Sequence, residues 1–217
     1  IAEALIIPKI AEIVLKKYNH AMQGATCLAS TLDEIGVSVI NINGINFKYF
    51  MTLFGNFDES GGPNIPIFCA GVTDNDPGAA IYPLKDETAA SKNPIVALKE
   101  AIDANERTRL FVSPLKTFEY DLATYNPALL ASVLKSLWST QDGTVSSALQ
   151  AIADRNNEYA DNSQLRDDAK YIYMHIDSNS VGKGIFAHTL TNNIDMDFVV
   201  PDYIRDAILW ACGGLSL

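Results

Sequence analysis

The sequence is poor in the residues that build zinc sites and disulfide frameworks. In 217 residues there are three cysteines and three histidines. Cys27, Cys69 and Cys212 lie far apart with no CxxC, so they read as reduced core thiols of a cytoplasmic protein. His20, His175 and His188 form no HExxH or other zinc spacing. Basic residues are also scarce: 16 Lys and Arg stand against 26 Asp and Glu, a net charge of −10. That argues against a broad basic surface for non-specific nucleic-acid binding. It leaves a nuclease open, because a bound metal can supply positive charge at the scissile phosphate. No apolar run approaches a membrane span, no GxxxxGK[ST] loop occurs, and there are no repeats or low-complexity segments. The chain starts at Ile1, and Glu3 and Lys9 interrupt its opening segment. It shows neither an initiator end nor a signal peptide, and reads as part of something longer.

What is present is globular: 48% hydrophobic and 19% charged. Residues 1–18 have helical spacing, with Pro8 expected to bend the helix or start a new first turn. Val37 to Ile42 is a β-branched run that predicts a strand, and Asn46 could cap a short helix through Phe54. Ile67 to Val72 and Arg109 to Ser113 are further strand candidates. Pro94 to Ala104 is a helix, and residues 78–93 form an exposed loop. This alternation indicates α/β, a mostly parallel sheet flanked by helices. After Thr117 the texture becomes helical: Leu129 to Trp138, Val145 to Ala153, Arg166 to Ile176 and Tyr203 to Cys212. The expected division is a catalytic α/β core over 1–122 and a helical subdomain over 123–217 that returns Lys183 to the core.

Candidate chemistry sits in four clusters. Asp74 and Asp76 follow the strand ending near Val72. If the strand persisted, both side chains would leave on one face at its carboxyl end, where open α/β sheets place ligands. Two converging carboxylates call for a divalent cation, whereas a plain Asx turn is the bland alternative. Glu3 opens a helix, a placement the dipole alone favours. Thr117 and Glu119 follow the second strand and could simply start a helix. Lys183 lies between Gly182 and Gly184 ahead of an apolar-periodic stretch, where a solvated turn is the plain reading.

Taken in order, these clusters resemble the Toprim half of the overcoming-lysogenization-defect (OLD) family of ATP-dependent nucleases. That family runs V-E-G-x-x-E, then T-D-x-D, then T-x-E-Y-D, then K-G before a helix. The matching residues here are Ile1-Ala2-Glu3, Val72 to Asp76, Thr117 to Asp121, and Lys183-Gly184-Ile185-Phe186-Ala187. Val39-Ile40-Asn41 running into Gly44-Ile45-Asn46-Phe47 looks like the family's second strand, and the resemblance extends to the final PDYIRDAI helix. One departure is that the family's first glutamate, and the strand bearing it, would precede Ile1. A second is that the phosphate-binding loop of its ATPase half is absent from these residues.

The resemblance implies metal-dependent DNA endonuclease or nickase activity by two-metal phosphodiester hydrolysis, with Mg2+ or Mn2+. Glu3, Asp74 and Asp76 would serve one metal; Glu119, with the Thr117 hydroxyl nearby, would serve the second. Lys183 would meet the phosphate as a point charge. Asp121 reads as structural and His188 as a weaker proton carrier. Implied partners are DNA, an upstream ATPase domain of the same polypeptide that would bind ATP, and a second copy of the chain, with no membrane. The family also implies a role in phage defence. Two competing readings are a non-catalytic Toprim-like module that binds DNA or a partner, and a DxD glycosyltransferase. A haloacid-dehalogenase phosphatase is disfavoured by Gly78 two residues after Asp76. A topoisomerase would need a catalytic tyrosine, for which Tyr120 has only adjacency.

Overall fold

The structure, a computed structural model, describes residues 2–22, 28–42, 47–56, 62–138, 143–176 and 181–215. Helix α1 (Ala2–Ala21) runs unbroken through Pro8. Its buried stripe, from Ile6 through Ile10, Val14 and Leu15 to Tyr18, holds the turn that proline would otherwise interrupt. A short α2 (Leu32–Ile35) follows, closed by a capping box between Thr31 and Glu34 and by a left-handed Gly36. The expected strand over 37–42 does not form. These residues lack regular structure, and Val39 and Ile40 are 37% and 59% exposed. A β-branched run favours a strand only where a neighbouring strand pairs with it. Asn46, the expected cap, lies outside the described residues, and α3 spans Phe47–Met51.

The fold is α/β, with a small parallel sheet of two described strands among many helices. Strand β1 (Cys69–Thr73) pairs with β2 (Thr108–Val112), from Cys69 opposite Thr108 to Thr73 opposite Val112. Both carboxyl ends therefore finish side by side. Between the strands, Asn93 caps a 3-10 turn over Pro94–Leu98 that continues into α4 (Lys99–Asp103). Helix α4 closes the outer edge of β2. The Leu110 amide donates to Asp103 Oδ1 at 2.8 Å, and Lys99 Nζ donates to the Leu110 carbonyl at 2.6 Å while pairing with Asp103.

The remaining helices are α5 (Phe118–Tyr125), α6 (Pro127–Leu137), α7 (Gly143–Asp154), α8 (Asn162–Ile176), α9 (Lys183–Thr191) and α10 (Asp202–Ala211). The larger core spans the expected boundary at 122 and 123, because α1 packs against α9 and α10 and shares their apolar cluster. A smaller cluster of Met51, Ile95, Ile102 and Leu110 lies on one face of the sheet, and α10 covers the other. Among the described residues no helix is long and apolar enough to cross a membrane.

Gly71, at the centre of β1, is fixed by close packing. A Cβ there would lie 2.4 Å from the Phe47 ring and 2.7 Å from Met51 Sδ. Gly71→Ala should therefore cost about 1–3 kcal/mol by overpacking. Thermal melts should show a smaller loss from Gly71→Ala in a Phe47→Ala background than in the parent. A lone Gly71→Ala variant that melts like the parent would contradict this packing.

Candidate active site

The adjacent ends of β1 and β2 lead into two turns that hold each other. Asn93 fixes the exit of β1 by donating to Thr73 Oγ1 at 2.9 Å and to the Asp74 carbonyl at 2.7 Å. Asp74 Oδ1 then accepts from the Phe118 amide at 2.8 Å, across to the start of α5. Asp121 Oδ1 accepts from the Lys116 amide at 3.2 Å, so two carboxylates grip one turn over residues 116–118. Glu119, buried in the first turn of α5, follows directly.

Of the expected residues, Glu119 and Lys183 are in contact, and Asp74 and Glu3 lie in electrostatic range of them. Glu119 Oε1 lies 3.2 Å from Lys183 Nζ at the start of α9. Lys183 stands at the positive end of that helix dipole, and Glu119 supplies the anion that this position requires. Burial pushes the Asp74 carboxyl up to about 7, with Glu119 and Glu3 raising it further and Lys183 and the Phe118 amide opposing them. Glu3, in the first turn of α1, thus shares one electrostatic field with Asp74, Glu119 and Lys183.

Asp76 and Thr117 have other partners. The strand ends at Thr73, and Asp76 takes a left-handed conformation with φ of 46°. The two-residue alternation that would have aimed Asp74 and Asp76 together is lost there. Asp76 is exposed, its amide donates to the Lys116 carbonyl at 3.0 Å, and its charge acts on Lys116. Thr117 caps α5, its Oγ1 accepting from the Tyr120 amide at 3.3 Å. Tyr120 is fully buried against Tyr82 and Tyr173, which rules it out as a nucleophile toward DNA. His188 is exposed, five residues beyond Lys183 and so roughly 140° round the helix.

The composite backbone is a known one. It matches the C-terminal region of the Xanthomonas campestris pv. campestris OLD protein over 97% of this chain and 90% of that one, with a TM-score of 0.60 and 24% identity. The C-terminal region of the Burkholderia pseudomallei OLD protein matches over 95% and 90%, with a TM-score of 0.54 and 24% identity. The chain has the OLD C-terminal fold. No family model and no curated protein matches the sequence. In this OLD-type fold Glu3, Asp74, Glu119 and Lys183 come from α1, the end of β1, α5 and α9, elements spread across the whole chain.

The donor set fits a hard divalent cation in kind and in charge. Glu3, Asp74 and Glu119 offer only carboxylate oxygens, and Lys183 is one cation against three acids. Their spacing is open: among the described residues, no three His, Cys, Asp or Glu stand close enough together to hold a metal ion.

Sequence reasoning read Asp121 as structural. Its carboxyl is fully buried, and burial pushes it up to about 8 against the opposing Ser113 hydroxyl and Lys116 amide. Asp74 and Asp121 both titrate higher folded than unfolded. Between pH 4 and 8 the native state binds more protons than the unfolded one, so stability should fall as pH rises through that window. Asp121→Asn should flatten the decline. Melting temperatures from pH 5 to 8 test this, and parallel profiles for the two proteins would refute the assignment.

Proposed function

We propose that this chain is the nuclease portion of an OLD-family protein and hydrolyses DNA phosphodiesters with a divalent cation, Mg2+ or Mn2+. The Glu119–Lys183 ion pair, with Asp74 and Glu3 in electrostatic range of it on the OLD C-terminal fold, supports this reading. Glu3, Asp74 and Glu119 would hold the cation. A two-metal arrangement would also draw on Asp76 and Thr117, after the turn over residues 74–77 rearranges. When bound, the cation activates water and stabilises charge on the attacking and leaving oxygens.

This chain's own residues bind and orient. Lys183 Nζ, paired with Glu119 and 43% exposed, can swing to a phosphate oxygen without leaving the site. Asp74, pushed up to about 7, must give up its proton to hold a cation, so cation binding should strengthen as pH rises toward neutrality. Glu119 is kept in place by the doubly held turn before it. The proposed partners are DNA, an ATPase domain in the same polypeptide that binds ATP, and a second copy of the chain. A cytoplasmic setting and a role against phage belong to the same proposal.

The open spacing of the acids favours a second reading, a module that binds DNA without cutting it. Incubating supercoiled plasmid with the protein and Mg2+, Mn2+, Ca2+ or chelator separates the two. Nicked or linear product with Mg2+ or Mn2+, and none with chelator, supports the nuclease. Retarded but intact plasmid under every condition supports the module.

A further inference from the structure

Among the described residues, Lys116 is the one lysine or arginine that is buried, at 3% exposed. A buried ammonium needs a partner for each of its three N–H groups. Lys116 Nζ finds three carbonyl oxygens in the loop after β1. It donates to Gly78, to Ile81 at 3.1 Å and to Ala79 at 3.5 Å. The Tyr82 ring lies 4.6 Å away and adds a cation–π contact. The loop itself is tied at its base. Ser91 Oγ donates to the Asn75 carbonyl, Asn75 Nδ2 to the Ala89 carbonyl at 3.2 Å, and the Lys92 amide to the Asp76 carbonyl at 3.2 Å. The backbone of Lys116 is engaged as well. Its amide donates to Asp121 Oδ1, and its carbonyl accepts from the Asp76 amide.

We propose that Lys116 is a positioning residue of this site, its ammonium fastening the loop over residues 78–82 to the turn that leads into Glu119. It stands two residues before Phe118, whose amide Asp74 holds, and three before Glu119. The loop is rooted on the exit of β1, where Asn93 also holds the Asp74 carbonyl. The ammonium therefore closes a ring of bonds between that exit and the start of α5, and the ring sets where Glu119 stands relative to Asp74. The N–H groups of Lys116 are engaged by carbonyls, so it acts through Glu119 and not on a ligand. Its bearing on cation binding rests on the nuclease reading; the ring of bonds does not.

Lys116→Met keeps the apolar stem and removes the ammonium. The Phe118 and Asp76 amides should then exchange about tenfold faster, as local opening becomes easier, while amides in α6 keep the parent's rates. Calorimetric Mn2+ titration should show affinity about tenfold weaker, the usual scale for loss of a group supporting a metal ligand. Loss of a nearby positive charge would by itself tighten Mn2+ binding, so weaker binding is the mark of positioning. Lys116→Gln, neutral but still a donor, should fall between the parent and Lys116→Met in both readings, and it carries the test if the methionine variant does not fold. Parent-like exchange at Phe118 overturns the proposal, as does exchange that rises equally in α6. Unchanged or tighter Mn2+ binding in a variant of a parent that binds Mn2+ overturns it too, and leaves the nuclease reading intact. Failure of both variants to fold makes Lys116 structural and ends the positioning role. If the parent binds no Mn2+ but Phe118 exchange still responds to Lys116→Met, the nuclease reading fails and the fastening of the turn stands.

Discussion

Alanine at Asp74 or at Glu119 should lower metal-dependent cleavage of plasmid DNA by about two to four orders of magnitude. The two losses have different origins. Asp74 carries a carboxyl already pushed up to about 7, and it also receives the Phe118 amide. Its removal takes away one grip on the turn before Glu119 and, on the nuclease reading, a cation ligand. Asp74→Asn, which keeps an oxygen for the Phe118 amide, should retain the parent's melting temperature better than alanine does while cleaving no faster. Glu119 is buried and paired with Lys183. Glu119→Gln should keep the fold and still lose cleavage, since a neutral amide neither balances the lysine nor holds a cation well. Initial rates of nicking over a Mg2+ series measure both. Parent-like rates in Asp74→Asn and Glu119→Gln would end the nuclease reading.

Lys183→Met should separate cation binding from catalysis. In the parent, the ammonium already balances Glu119 at 3.2 Å. An entering divalent cation competes with that lysine for the same carboxylate. Removing the ammonium leaves three acids without their local counter-charge, so Mn2+ should bind as tightly as to the parent or more tightly. Cleavage should nevertheless fall by about a hundredfold or more, because the phosphate loses a positive partner in the transition state. Tight Mn2+ binding with slow cleavage assigns Lys183 to the phosphate. Weakened Mn2+ binding would instead make it a support for the acids.

The helices of the second half were legible because burial selects their apolar period. Leu129 to Trp138 marks α6 to within two residues, and Tyr203 to Cys212 marks α10 to within one. The segment over 37–42 misled because β-branched side chains report preference, and preference does not supply a partner. The short α2 had its signal in Thr31 and Glu34, three residues apart, which the apolar pattern obscured. At the site, spacing showed that acids follow each strand. It could not show that Asp76 turns left-handed, a conformation aspartate tolerates without announcing it.

The side chains of α4 also cover part of the outer rim of β2. A small parallel sheet offers its rim as a template for any passing extended chain. On the β2 side, Asp103 and Lys99 already occupy the Leu110 amide and carbonyl that an incoming strand would need. Edge-to-edge stacking through β2 must first displace an ion pair from its own backbone partners. That obstacle is in place as soon as the helix folds, and it persists when concentration rises. At Leu110, then, two side chains of one short helix oppose edge-to-edge pairing through this rim.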